Sequence, residues 1–270
     1  MRQGTSLNQN TPQFTALHQL TLEQERITRL KINVLVPMMQ NPTLLTHYAD
    51  NVIQEQKQLL LSQPIQSGQE LSHIIQTIIE KLNQSKKYLK PNKTYNAIQR
   101  WFGIDLEQQA GSIHFLNELQ SLIDKATLLS HRIATEIYHS QKQMQDLQQL
   151  RNEMAHYVVA AEQFLTECDG FAEQPMSLDS FKQRLDKKIN TLMTSQSATD
   201  MAMLQIILSQ NVAMTILDRF NEAKNLLIPA WQQHVFNVQS GQTPQQLQQL
   251  NDARERLIST LDKAVKSSNP

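Results

Sequence analysis

One cysteine, Cys168, excludes an internal disulfide and a multi-cysteine zinc site. No histidine or other base neighbours it in sequence, so it reads as a small apolar side chain at a helix end. Glycine is scarce as well: six scattered residues assemble neither GxGxxG nor GxxxxGK[ST], the loops whose amides cradle phosphates. Neither sign of charge is in excess. Lys plus Arg (25) balances Asp plus Glu (25), so no net field draws the chain onto nucleic acid. Apolar runs such as Val34–Met39 fall well short of the roughly 20 residues of an unbroken membrane span. The opening MRQGTSLNQNTPQFT lacks the apolar centre of a signal peptide, and the expected location is cytoplasmic.

Metal-ligand spacings are missing too. Neither HExxH nor CxxC occurs, and the eight histidines sit at unrelated intervals. His131 and His139 share a helix but lie too far apart for one small ion without a third ligand, and the histidines read as surface or boundary residues. Glu153 and Glu162 blend into the charge pattern around them. No catalytic, cofactor-binding or metal residue is assigned, and the chain is expected not to be an enzyme. Met201, Met203 and Met214 suggest either a soft-metal patch or core filler. Lys86, Lys87 and Lys90, with Lys93 and Arg100, form the one basic cluster, either a solvated helix end or a phosphate or lipid-headgroup contact.

What the chain does have is helix. Leu, Gln, Ala, Lys and Glu dominate, and strictly alternating β-branched or aromatic runs are missing. From Ser112 to Asp169 apolar residues recur by threes and fours: Leu119, Leu122, Ala126, Leu129, Ile133 and Ile137, then Met144, Leu147, Met154, Tyr157, Ala161 and Phe164. That is a heptad-like stripe on a helix roughly 85 Å long, a length that makes it a spine. The segment Ser177–Ile228 is similar in length and follows a turn at Asp169-Gly170, which predicts an antiparallel hairpin. Its apolar stretch Leu204–Leu217 is the expected neighbour of Met154, Tyr157, Val158 and Ala161, and Gln210, Asn211 and Glu162 would form a polar pocket there.

Around the hairpin, helices are predicted over Leu20–Val36, ended by Pro37 and Pro42, then Leu44–Leu61 and Ser67–Leu89, the last opened by a Ser67/Glu70 capping box. A short aromatic helix, Lys93–Phe102, carries Trp101 and is capped by Gly103. Ser177 caps the second arm, Thr194–Asp200 is a turn or a solvated face, and Pro229 marks a kink or break. Gly241 and Pro244 turn the chain into a closing helix, Gln246–Val265, and the tail Lys266–Pro270 frays. The expected fold is therefore all-α: an elongated, coiled-coil-like hairpin of long antiparallel helices with smaller N-terminal helices. Its divisions are a disordered segment 1–15, a helical region 16–105, and a hairpin core with closing helix over 106–267.

Leu147–Leu165, LQQLRNEMAHYVVAAEQFL, resembles the L-x-x-Y-I-A-A-G-E segment of the tellurite-resistance TelA family (toxic anion resistance proteins). Phe181–Leu192, FKQRLDKKINTL, is similar to that family's F-x-x-R-L-x-x-x-I-x-x-L helix. Gln205, Gln210 and Asn211, followed by Ile228-Pro229-Ala230-Trp231-Gln232, are similar to its L-I-Q-x-N-N and I-P-L-W-K. The resemblance covers about residues 110–260, and Thr46–Ile53 is similar to the family's early helix. Ala161 stands where the family has Gly, no proline opens the helix near Met201, and His131-Arg132 replaces an Asp-Asn pair, which describes a divergent or specialised member. The resemblance implies a bacterial stress-response protein linked to resistance to tellurite, other toxic anions or envelope stress, and it carries no catalytic residue.

On that basis the expected function is a non-enzymatic helical scaffold working with protein partners. The alternatives are direct binding or detoxification of an oxyanion, and association with a membrane. Interaction residues implied by the motifs are Tyr157, Ala161, Glu162, Gln205, Gln210, Asn211, Pro229 and Trp231. Expected partners are proteins, with peripheral membrane contact as a second class, no nucleic acid and no cofactor, on a monomer or homodimer. Cys168→Ser should leave any resistance phenotype intact, because the thiol lacks a second cysteine or an activating base. Loss of resistance at normal protein level would show that the thiol takes part.

Overall fold

The computed structural model describes residues 20–61, 65–89, 104–168, 175–240 and 243–266. The expectations for segment 1–15, the aromatic helix Lys93–Phe102 with Gly103, the turns at Asp169-Gly170 and Gly241, and the final four residues lie outside the described residues. Helix makes up 94% of the structure and no strand is present among the described residues, so the fold is all-α. In chain order the helices are α1 (Gln24–Leu30), α2 (Val36–Gln40), α3 (Asp50–Leu60), α4 (Ser67–Tyr88), α5 (Ile104–Glu167), α6 (Pro175–Glu222), α7 (Ile228–Ser240) and α8 (Pro244–Lys266). A 3-10 turn, Pro42–His47, precedes α3.

The long helix is unbroken. α5 holds 64 residues, about 96 Å at 1.5 Å per residue. The second arm starts at Pro175, two residues before the predicted cap Ser177, and runs without a turn through Thr194–Asp200. The chain divides into two compact units, each built from discontinuous stretches: Met1–Ser62 with Lys142–Gln205, and Gln63–Gln141 with Ile206–Pro270. Both long helices thus contribute a segment to each unit.

Two prolines expected to end or kink helices leave the run of helical turns uninterrupted. A π turn over Lys31–Leu35 leads from α1 into α2, which carries Pro37 within its first turn. Another over Ala223–Leu227 leads from α6 into α7, which carries Pro229 as its second residue. In each turn a backbone amide reaches five residues back, from Val36 to the Lys31 carbonyl and from Ile228 to the Ala223 carbonyl. The wider turn draws aside the carbonyl that the proline ring would strike, so the helix continues.

One helix start is capped otherwise than predicted, and another carries a cap that was not predicted. Ser67 does not pair with Glu70. Its hydroxyl donates to Glu136 Oε1 at 2.7 Å and its amide to Oε2 at 3.2 Å, so a carboxylate from α5 caps α4. At α8, Thr243 and Gln246 form a reciprocal capping box, with Gln246 N–H donating to Thr243 Oγ1 (3.3 Å) and Thr243 N–H to Gln246 Oε1 (3.0 Å). α3 starts after Ala49, whose φ of 59° is left-handed, a strained setting for a residue with a Cβ.

In the first unit α5 and α6 run antiparallel. Arg151 meets Asp200 and, further along α5, Phe164 meets Phe181, their ring centroids 6.1 Å apart in a T-shaped contact. Met154, Val158, Ala161 and Phe164 pack in one cluster with Phe181, Leu185, Ile189 and Leu192, and with Leu35, Leu45, Tyr48 and Val52 from the N-terminal elements. Phe181–Leu192, rather than the expected Leu204–Leu217, is therefore the neighbour of this face. The second unit repeats the antiparallel pairing, Ser140 meeting Gln210 and Gln120 meeting Gln232. Its core gathers Leu71, Ile75, Ile78 and Leu82 of α4 with Phe115, Phe220, Trp231, Leu257 and Leu261. Each such side chain contributes roughly 1.5–3 kcal/mol by leaving water.

The apolar middle of α6 is the least covered part of its length. Met201 is 72% exposed and Leu208 64%. By length and composition the continuous helix Leu178–Val238 is apolar enough to cross a membrane; its most apolar window has a mean hydropathy of 1.3, with 17% of it buried. The search for unbroken runs overlooked it because glutamines interleave the apolar residues.

Ala161 is fully buried within the α5/α6 seam. Ala161→Leu should overpack that seam and cost about 1–3 kcal/mol in urea unfolding, with helix content retained. An unchanged midpoint would show that the seam is loose.

Candidate functional site

A groove of about 920 Å³ lies in the first unit, between the start of α1, α3 and the α5 segment 142–156. Its lining alternates charge: Arg26 and Lys142 among Glu23, Glu55, Asp146 and Glu153. α5 presents Lys142, Asp146, Gln149, Glu153 and His156 to it because steps of three and four return to one helix face.

Much of this wall is tied down. Arg26 Nη2 donates to Glu153 Oε1 at 2.6 Å, across two elements. His156 is 8% exposed, and both of its ring nitrogens are committed to main chain. Nε2 accepts the Glu23 amide at 3.1 Å, which leaves the proton on Nδ1 to be donated to the Asn152 carbonyl at 2.8 Å. The histidine thereby fastens the residue that starts α1, a place within the core that sequence reading missed. Its signal was faint: it follows Met154 and Ala155 and precedes Tyr157 in an otherwise apolar stretch.

The first unit also holds a layer of buried polar side chains. Tyr48 is fully buried, stands edge-on to the Tyr157 ring at 5.4 Å, and donates its hydroxyl to the Tyr157 carbonyl at 2.6 Å. Burial, with the Tyr157 hydroxyl nearby, holds the Tyr48 phenol well above its ordinary range. Gln56 Nε2 donates to the Ser195 carbonyl at 2.5 Å and to Thr199 Oγ1 at 2.9 Å. Arg151, its side chain 7% exposed, donates from Nε to Asp200 Oδ1 at 2.5 Å and from Nη2 to Oδ2 at 3.3 Å. Gln196 is buried beside this layer, with no hydrogen-bond partner for Nε2 among the described residues. Thr194–Asp200 is thus neither a turn nor merely a solvated face; its inner residues serve as polar contacts within the core.

Elsewhere in the first unit, Lys188 donates to the Thr46 carbonyl and to Asp50 Oδ1 at 3.3 Å, and His47 Nδ1 lies 3.1 Å from Asp50 Oδ2. Partial burial pushes the Asp50 carboxyl up, but hydrogen bonds from His47 and Lys188 outweigh it and leave the group below its ordinary value. A depressed carboxylate stabilises the fold above the unfolded carboxylate range, and that contribution fades as pH falls through the folded value. Among the described residues no three His, Cys, Asp or Glu side chains converge to hold a metal ion.

The motif residues scatter. Tyr157 is half-buried beside Tyr48, and Ala161 is fully buried in the seam, where it is not available to a partner. Glu162, Gln205, Asn211 and Pro229 are exposed. Gln210 is half-buried and donates to Ser140 Oγ at 2.7 Å in the second unit, whereas Glu162 belongs to the first. Trp231 is 1% exposed and its indole N–H has no partner among the described residues, which makes it a core plug and not a surface anchor.

The chain is similar to protein KlaA of Escherichia coli, at 22% identity over 251 residues that span 90% of this chain and 97% of that protein. No family model matches the chain. No solved structure matches it either.

Asp200→Ala should cost about 3 kcal/mol, because it strands a buried guanidinium whose lost partner was only partly exposed. Arg151→Met combined with Asp200→Leu should recover most of that loss in the same thermal melts. Equal losses in the single and double variants would show that the pair does not act as a unit.

Proposed function

We propose that this chain is a helical scaffold, distantly related to the toxic anion resistance proteins, that works by docking protein partners in the groove of its first unit. One observation carries the reading. The two segments that resemble that family, Leu147–Leu165 and Phe181–Leu192, lie apart in sequence and pack on each other in one core. What the resemblance preserves is therefore the means of pairing two long helices, not a set of reacting groups. The similarity to KlaA extends over nearly the whole of both chains, which agrees with a shared architecture.

The groove suits recognition. Its acids and bases alternate, so a partner with the opposite pattern is selected and others are repelled. Its histidine is held by main-chain hydrogen bonds on both sides, a positioning role more than an acid–base one.

Removing the chain from its cell should sensitise that cell to tellurite, and the wild-type copy should restore growth. A copy carrying Glu55→Lys and Asp146→Lys, both in the groove lining, should fail to restore it while melting at the same temperature. Full rescue by the double variant would remove the groove from the function. Stoichiometric heat of tellurite binding to the purified protein would replace the scaffold with direct handling of the anion.

A further inference from the structure

A second cleft, of about 260 Å³, lies in the second unit between the last turn of α4 and the middle of α8. Its polar lining is Ser85 and Lys86 from α4 with Asn251 and Arg254 from α8, and Leu89, Leu247 and Leu250 supply the apolar wall. No carboxylate is among these residues. Arg254 is unusual in the fold: its side chain is 7% exposed, yet its Nε has no hydrogen-bond partner among the described residues. Its nearest carboxylate, Glu255, is 70% exposed and lies 3.6 Å from Nη2, beyond hydrogen-bond reach. A guanidinium sunk into protein with only a solvated carboxylate at ion-pair distance and no hydrogen-bonded counter-charge is destabilising, and proteins ordinarily pair it more closely. The contrast with Arg151, equally buried and held at 2.5 Å by Asp200, shows what this chain does when an arginine serves only the fold.

We propose that this cleft binds a phosphate group, with the Arg254 fork, the Lys86 ammonium and the Asn251 amide as its donors. A guanidinium presents parallel N–H groups that match the oxygens of a tetrahedral oxyanion, and a lysine adds a point charge with rotatable donors. Ser85 supplies a hydroxyl, and the three leucines give a phosphate carried on an organic group an apolar surface to lie against. The competing explanation is that Arg254 merely complements the negative C-terminal end of α4. The two differ in what removing the charge does: an arginine kept for a ligand is a burden to the free protein, whereas one kept for the helix end supports it. This inference does not rest on the docking groove, which belongs to the other unit.

The test titrates the full chain with inorganic phosphate by calorimetry, and with vesicles of phosphatidylcholine alone or containing phosphatidate. Wild type should bind phosphate or the phosphatidate vesicles, and its melting temperature should rise in the presence of the one it binds. Binding to soluble phosphate identifies a free phosphorylated ligand; binding only to phosphatidate vesicles identifies a lipid headgroup. Arg254→Met, which keeps the packing and deletes the charge, should abolish binding and leave the ligand-free melting temperature equal or higher. Lys86→Gln, at an exposed position that leaves folding alone, should weaken binding roughly tenfold. The inference is overturned by the absence of binding in both arms, or by unaltered binding in Lys86→Gln. It is equally overturned if Arg254→Met melts lower and the wild type does not respond to either probe.

Discussion

A long helix has one apolar stripe and no means of burying it alone, and the architecture here follows from that constraint. α5 offers its stripe to α6 in the first unit through Met154, Val158, Ala161 and Phe164, opposite Phe181, Leu185, Ile189 and Leu192. The small side chains Ala155, Ala160 and Ala161, all fully buried, let the neighbouring backbones approach. Shorter helices then close the remaining sides, α1 to α3 over one unit and α4, α7 and α8 over the other.

Within the hydrophobic core sits a polar layer that fixes how the seam is registered. Arg151 on Asp200 and Gln56 on Ser195 and Thr199 each require one alignment of α3, α5 and α6; sliding any of these helices by a turn would strand a buried charge or amide. Apolar contacts alone tolerate such slippage, since one leucine substitutes readily for another along a repeating stripe. Specificity here comes from the few groups that have only one acceptable partner.

Whether the long helix runs unbroken was not legible, but the helical class and the antiparallel pairing were, because they depend on periodicity, a property of tens of residues at once. α4 and α8 fall within two residues of the predicted bounds for the same reason. Features that hang on a single contact distant in sequence were not legible. Ser67 and Glu70 have the spacing of a capping box, yet Glu136 lies closer in space and takes the role. The seam partner was misassigned because Leu204–Leu217 is more apolar than Phe181–Leu192, and apolarity does not decide which stretch is opposite. Of the candidate site, Arg151, His156 and Asp200 were hidden as ordinary polar residues in helices rich in them. Arg151 gave one local sign: it stands four residues after Leu147 and three before Met154, a charge on the buried face.

The π turn before Pro229 does more than make room for a ring. Buried positions along the end of α6 advance by threes and fours through Ala213, Ile216, Phe220 and Ala223, then jump five to Ile228, and resume through Trp231, Val235 and Val238. The extra residue is absorbed in the widened turn, so the inward-facing side of the helix keeps its direction while its phase in the sequence moves on by one. Losing a single residue between Ala223 and Leu227 would restore an ordinary turn and leave every downstream side chain where it is. It would also return the carbonyl of Asn225 or its substitute to the proline ring, so length and Pro229 are coupled: divergent homologues that lack the proline are free to lack the residue as well.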